Sequence, residues 1–258
     1  MNEITILGAY GTKARGYGTT SFYLDEKNVI DAGNILKGLQ EKSADVENVW
    51  LTHSHLDHIS DIAYILDNYF SQRKHSLNVI GLPETIMAIK KHFLNDYIWP
   101  DFSKINLNDS NEMSVIYTEL ELGIEYKIDD SSSIEAFETE HTVASCGYIY
   151  KKNNTSILIT ADTYSLDNAI ALINARKDIT SMVVECSFPS FLEELAFNSK
   201  HLTPKLLFEK LEALQRDDVA ININHIKPLF LEIMVDEIFQ YGVKWHPKIL
   251  DDGEILKF

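Results

Sequence analysis

The chain has 258 residues, 45% of them hydrophobic, which suffices for one or two packed domains and fits neither a disordered chain nor a disulfide scaffold. Lys and Arg number 23 against 39 Asp and Glu, a formal net charge of −16. Such a field repels polyanions and disfavours broad nucleic-acid or anionic-membrane surfaces, while leaving room for a small anion at a local positive site.

Short strands open the chain: ITILGAY, TSFYLD and NVIDAG, each bounded by Gly, Asp or Asn, form a predicted β-meander. VENVWLTH is a strand-like run that ends abruptly in polar residues, and beyond it Ile59, Ile62, Ala63, Ile65, Leu66, Tyr69 and Phe70 recur at helical spacing. A strand from Leu77 to Gly81, a helix opening after Pro83 and an aromatic loop with Tyr97, Trp99 and Phe102 come next. Strands near SVIYTEL and IEYKI precede a polar turn at Asp129 to Ser133, which introduces SIEAFETEH, YIYKK and TSILITAD. The later chain repeats this grammar. A helix from Leu166 to Arg176, a buried strand SMVVECS, a helix LTPKLLFEKLEAL with Thr203 as N-cap and Pro204 at its first position, a strand VAININH and a helix through Phe230 to Phe239 are expected. The pattern predicts an α/β fold of two sheets packed face to face with helices outside, a four-layer αββα sandwich, as one domain of two similar halves meeting near residue 130.

Cys146 and Cys186 form no C-x-x-C pair and are expected as buried hydrophobes in a reducing compartment. The amino terminus lacks a basic segment followed by an apolar one, and no run approaches the roughly 18 apolar residues of a membrane span. A soluble, cytoplasmic protein is therefore expected, with no membrane partner.

Thr52 to His58, THSHLDH, concentrates three imidazoles and a carboxylate, groups suited to zinc and similar metals. In an extended segment His53 and His55 project to one side and can share one metal. Asp57 and His58, at the helix start, turn toward a second position. His141, Asp162 and His225 each terminate a predicted strand and could supply further ligands.

The order His53-x-His55-x-Asp57-His58, His141, Asp162, His225 resembles the metallo-β-lactamase superfamily over nearly the whole chain. The resemblance implies His53, His55 and His141 on one metal, Asp57, His58 and His225 on a second, and Asp162 bridging both. It makes Asp31 a supporting residue rather than a ligand. No Cys occupies the position expected of a zinc β-lactamase. Instead Glu185-Cys186-Ser187-Phe188-Pro189, Ala196 with Ser199 to Pro204, Asn224 to Pro228 and Trp99 to Phe102 resemble the class II 3′,5′-cyclic-nucleotide phosphodiesterases. Asp61 departs from that pattern, where a small or apolar residue is expected. The tRNA 3′-processing endonucleases share these ligands but resemble proteins with an arm inserted between the third His and the bridging Asp. Here that interval holds two strands and a Lys-Lys-Asn-Asn turn, leaving no room for an arm.

The resemblance implies a dinuclear zinc phosphodiesterase, manganese or iron being alternative metals, that hydrolyses cAMP or cGMP to the 5′-monophosphate with a metal-bridging hydroxide. Asp57 and Asp162 would act with the metals, His201 would protonate the leaving 3′ oxygen, and Glu185 would orient His201. Trp99, Phe102 and Thr203 are candidate substrate contacts, and in a homodimer the aromatic loop would reach the partner's site. His75, His92 and His246 are expected at the surface or in structural roles. A hydrolase of another cyclic phosphate, an RNA 3′ end, a lactone or a thioester stays open, as does a non-catalytic nucleotide-binding protein.

Overall fold

A computed structural model describes residues 2–108 and 110–258. In chain order the strands are β1 (Glu3–Gly8), β2 (Ser21–Asp25), β3 (Asn28–Ile30), β4 (Asn48–Trp50), β5 (Leu77–Gly81), β6 (Val115–Glu119), β7 (Glu125–Lys127), β8 (Ser132–Glu138), β9 (Cys146–Lys152), β10 (Thr155–Ile159), β11 (Ile179–Glu185), β12 (Ala220–Asn224), β13 (Lys248–Ile249) and β14 (Ile255–Lys257). The α-helices are α1 (Ile35–Leu39), α2 (Leu56–Asn68), α3 (Pro83–His92), α4 (Asp167–Ala175), α5 (Glu193–Ser199), α6 (Pro204–Leu211) and α7 (Leu231–Tyr241).

Two seven-stranded sheets form, in the orders β14-β1-β2-β3-β4-β5-β6 and β13-β12-β11-β10-β9-β8-β7. The expected meander is present: β1, β2 and β3 pair antiparallel. From β3 to β6, and again from β10 to β13, neighbours are parallel, with helices carrying the crossovers. Ile6, Phe22, Ile30 and Trp50 of one sheet meet Ile134, Tyr148, Ile157 and Val183 of the other in a central core. Outside the first sheet, Val49 and Val79 pack on Ile62, Ile65 and Ile86 of α2 and α3. Outside the second, Met182 and Ile221 pack with Ile170, Leu207 and Met234 of α4, α6 and α7. These three cores separate four layers, the expected αββα sandwich. Each fully buried Ile on α2 contributes about 1.5–3 kcal/mol, which fixes that helix and hence its first turn.

Several boundaries differ from the sequence expectation. The chain passes between sheets at residues 120–124, ahead of residue 130, and β14 then returns to the first sheet beside β1. The strand in VENVWLTH ends at Trp50; Leu51 N still donates to Ile80 O and Thr52 O still accepts from Cys146 N before the chain turns into α2. Thr203 does cap α6, accepting from Leu206 N at 3.4 Å, with Pro204 in the first turn. Asp61 has a structural role: its buried Oδ2 accepts from Leu36 N at 2.9 Å at the start of α1, where a carboxylate meets unpaired backbone N–H groups. Both cysteines are buried and free, and no helix among the described residues is long and apolar enough to cross a membrane.

Candidate metal centre

The carboxyl ends of parallel strands point at one edge of the sandwich, where open α/β sheets gather functional groups. His53 and His55 follow β4, Asp162 follows β10, Glu185 ends β11, and His225 follows β12. Backbone geometry at these exits is unusual: Asp31, Ala161 and His225 have φ of 56°, 55° and 63°. Left-handed φ is costly for non-glycine residues and persists where surrounding structure enforces it. Two glycines admit close chain approach. A Cβ on Gly33 would lie 2.2 Å from Asp57 O, and one on Gly11 would lie 2.5 Å from His225 O.

Donor atoms of His53, His55, His141 and Asp162 lie within 4.8 Å of one another, as do those of Asp57, His58 and His225. Asp162 stands between the groups. Its Oδ2 is 3.7 Å from His53 Nε2, 3.5 Å from His58 Nε2 and 3.9 Å from His141 Nε2, while Oδ1 is 3.1 Å from His225 Nε2. Asp57 Oδ2 lies 3.5 Å from His225 Nε2. The structure thus brings together all seven residues expected as ligands.

The donor set fits cations. His55 Nδ1 faces His141 Nε2 at 3.1 Å, and His58 Nε2 faces His225 Nε2 at 3.4 Å. When both nitrogens of such a pair present lone pairs, they repel unless a cation stands between them. His53 Nε2 and Asp162 Oδ1 are buried without a hydrogen bond. The opposite ring nitrogens are held from outside: His53 Nδ1 lies 3.0 Å from Thr52 Oγ1, His58 Nδ1 2.7 Å from Asp31 Oδ2, His141 Nδ1 3.2 Å from Lys200 O, and His225 Nδ1 2.9 Å from Ser187 Oγ. Such partners fix the ring orientation of metal-binding histidines. Lys200 presents its carbonyl from a left-handed conformation after α5, while its Nζ pairs with Glu140 at 2.8 Å.

Charge states favour ligation. Burial holds the His53 imidazole well below its ordinary value and pushes His141 down to about 4, so both present lone pairs at neutral pH. Burial opposes ionisation of Asp162 and Asp57, yet neighbouring His225 and His58 outweigh it and hold both carboxyls below the usual range. His58 is also buried, but Asp162 and Asp31 raise it well above its ordinary value. A metal cation would take the place of that proton.

Beside this cluster His201 is nearly buried, with Nδ1 2.9 Å from Glu185 Oε1. Burial disfavours the imidazolium, but the Glu185 charge and hydrogen bond outweigh it and raise His201. Its ring stacks 5.4 Å from that of His225, and a nitrogen lies within 4.8 Å of donor atoms of Asp162 and His225. His201 therefore stands within reach of both an acid role and ligation.

The candidate substrate contacts lie differently. Phe102 is buried in the outer core against Phe70, and Trp99 packs on the same core beside Tyr64. Their rings support α2 from the helical side of the first sheet. Phe102 and Trp99 thus have packing roles in the outer core, while Tyr97 and Ile98 at the tip of the loop are exposed. Thr203 is buried and its hydroxyl is committed to the α6 cap. His75, His92 and His246 are exposed. A cleft of about 650 Å³ adjoins His141 and is lined by Glu84, Phe137, Glu140, Ser145 and Asn168, residues the sequence reading did not single out. Thr52, Ser187 and Lys200 were also missed as supports. Thr52 directly precedes His53, Ser187 lies two residues after Glu185, and Lys200 directly precedes His201.

Comparison with known proteins places this architecture. The chain is 35% identical over 75 residues to 3′,5′-cyclic-nucleotide phosphodiesterase 1 of Saccharomyces cerevisiae, an alignment spanning 29% of this chain and 20% of that protein. It is 21% identical over 182 residues to 3′,5′-cyclic-nucleotide phosphodiesterase of Schizosaccharomyces pombe, spanning 66% of this chain and 51% of that one. The chain thus spans about a fifth to a half of these curated relatives' lengths. Among solved structures, unliganded yeast PDE1 superposes with a TM-score of 0.82 at 19% identity over 99% of both chains. The Bacillus subtilis protein YhfI, of the metallo-β-lactamase fold, gives 0.74 at 15% identity over 98% of both, so the sandwich is of that type. The family profile for cAMP phosphodiesterases class-II matches residues 12–238, and the chain belongs to that family.

Proposed function

We propose that this chain is a dinuclear metal phosphodiesterase that hydrolyses 3′,5′-cyclic nucleotides, cAMP or cGMP, to nucleoside 5′-monophosphates. The observation that carries the reading is the position of Asp162 between two sets of ligand atoms, with the His201–Glu185 pair alongside. In this reading His53, His55 and His141 hold one cation, Asp57, His58 and His225 hold the other, and Asp162 serves both. Zinc suits the His and carboxylate donors, with manganese and iron as alternatives. Bound cations would lower the pKa of water from about 15.7 toward about 7 and offset the negative charge of the phosphodiester.

The chain's own groups perform the remaining work. Asp162, ionised and buried, would orient the attacking water by accepting a hydrogen bond from it. Glu185 Oε1 accepts a hydrogen bond from His201 Nδ1–H, so that the imidazolium gives its Nε2 proton to the departing 3′ oxygen and is left neutral. A sugar alkoxide is a poor leaving group, so this transfer is required. The acidic exterior, with its net charge of −16, disfavours RNA and DNA while a small positive centre accepts one phosphodiester. A single domain and a cytoplasmic location belong to the same reading, the latter supported by two buried free thiols. A homodimer would use the tip of the aromatic loop, where Tyr97 is 93% exposed.

Incubation of the zinc-loaded protein with cAMP, cGMP, a 2′,3′-cyclic nucleotide and bis(p-nitrophenyl) phosphate tests the assignment. Conversion of cAMP or cGMP to its 5′-monophosphate is expected. Turnover of the nitrophenyl ester alone would reject the substrate while retaining the chemistry.

A further inference from the structure

Ser187 lies at the junction of two parts of the site. Its side chain is wholly buried, and its Oγ is 2.9 Å from His225 Nδ1, 2.9 Å from Glu185 Oε2, 3.2 Å from His201 Nδ1 and 3.2 Å from His225 O. One hydroxyl has one proton to give and two lone pairs to offer. Glu185 is surrounded by donors: Oε1 accepts from His201 Nδ1, Thr163 N at 3.2 Å and Leu202 N at 3.3 Å, so Oε2 is left to Ser187. His225 turns Nε2 toward Asp162, which places its remaining proton on Nδ1 when Nε2 ligates. That proton has Ser187 Oγ as its acceptor. The directions are then fixed. His225 Nδ1–H donates to Ser187 Oγ, Ser187 O–H donates to Glu185 Oε2, and His201 Nδ1–H donates to Glu185 Oε1.

We propose that Ser187 is a positioning residue whose hydroxyl joins the ligating imidazole of His225 to the proton-donating imidazole of His201 through Glu185. Cation binding at the Asp57–His58–His225 position and leaving-group protonation are then set by one hydrogen-bonded chain. The stacked rings of His225 and His201, 5.4 Å apart, are held in register from behind by the same three atoms. Removing the hydroxyl leaves the His225 Nδ1 proton without its acceptor and Glu185 Oε2 without its donor, both in a site closed to water. The cation arm of this inference stands without any substrate. The protonation arm rests on the phosphodiesterase reading.

The test is titration of metal-stripped protein with Zn²⁺ against a chromophoric chelator, for wild type, Ser187→Ala and Ser187→Thr, with thermal melting of the metal-free forms as a check on folding. Ser187→Ala is expected to weaken one of two binding steps by about 10- to 100-fold and to spare the other, while Ser187→Thr, which keeps the hydroxyl, restores it. Ser187→Cys, similar in size but a weak acceptor, replaces the alanine variant if that one is misfolded. At saturating Zn²⁺, Ser187→Ala should lose a larger factor in turnover of cAMP than in turnover of bis(p-nitrophenyl) phosphate, because only the alkoxide needs the oriented acid. Unchanged zinc steps together with unchanged cAMP turnover would overturn the proposal, as would equal weakening of both steps. If wild type binds zinc in two steps yet converts no cyclic nucleotide, the phosphodiesterase reading fails, and the zinc titration alone still decides the role of Ser187.

Discussion

Asp31 Oδ2 sits 2.7 Å from His58 Nδ1, with both side chains wholly buried. The same carboxylate accepts from Thr52 N at 2.9 Å and Thr52 Oγ1 at 2.8 Å, so one residue at the end of β3 braces both ends of the His-rich turn. Burial raises the Asp31 carboxyl while His58 opposes that rise, and the Asp162 and Asp31 charges outweigh burial to raise His58. His58 Nε2 is thereby presented to Asp162 and His225. Asp31→Asn retains an acceptor for Thr52 but loses the carboxylate opposite His58. Its affinity for the second cation should fall about 10- to 100-fold, measured by zinc titration, with the metal-free fold intact by circular dichroism.

His201 faces a different requirement. Under the proposed mechanism His201, with Nδ1 tied to Glu185, delivers a proton, so His201→Ala should lower turnover of cAMP by about 10²- to 10⁴-fold. Turnover of bis(p-nitrophenyl) phosphate, whose leaving group departs without a proton, should change little. Equal losses on both substrates would assign His201 to ligation instead.

Phe102 separates a packing role from a substrate role. Because its ring fills the outer core against Phe70, Phe102→Ala should destabilise the protein by about 3–5 kcal/mol in urea unfolding. The KM for cAMP should stay at the wild-type value at temperatures where the variant is folded.

The second sheet carries a pH-sensitive contact remote from the metal centre. Asp178 is held down to about 2 by hydrogen bonding from Arg176, against some opposition from burial, and Ser156 Oγ adds a bond at 2.6 Å. A carboxylate with a depressed folded value stabilises the native state above its ordinary value of 3.8, and that contribution is lost as pH falls from there through about 2. Metal-free Asp178→Asn should therefore show a shallower loss of melting temperature across this window than wild type.

The elements that the sequence announced are those whose burial is periodic or continuous. Helix α2 declares itself through Ile59, Ile62, Ile65 and Leu66, and the parallel strands through apolar runs ending in His or Asp. Helix α5 gave no such sign, because only Ala196 on it is buried, and β14 is a three-residue strand whose existence depends on β1 being available across the chain. The residues that the fold gathers stood out as a group because His53, His55 and His58 crowd one short segment and His141, Asp162 and His225 each follow an apolar strand pattern. The supports were hidden: the distance from Ser187 to His225 or from Lys200 to His141 is a property of the fold, and a lone Ser or a backbone carbonyl carries no chemical mark. The aromatic loop was ambiguous in sequence for the converse reason, since Trp and Phe serve a core and a base-stacking surface equally well.

Metal-stripped protein assayed for 5′-AMP production from cAMP as Zn²⁺ is added gives the most direct test. Asp162 stands between two clusters of candidate ligand atoms, and under the two-cation reading activity should stay low through the first equivalent and rise with the second, and Asp162→Asn should remove it. Full activity at one equivalent, or no 5′-AMP with both positions filled, would contradict a two-cation phosphodiesterase.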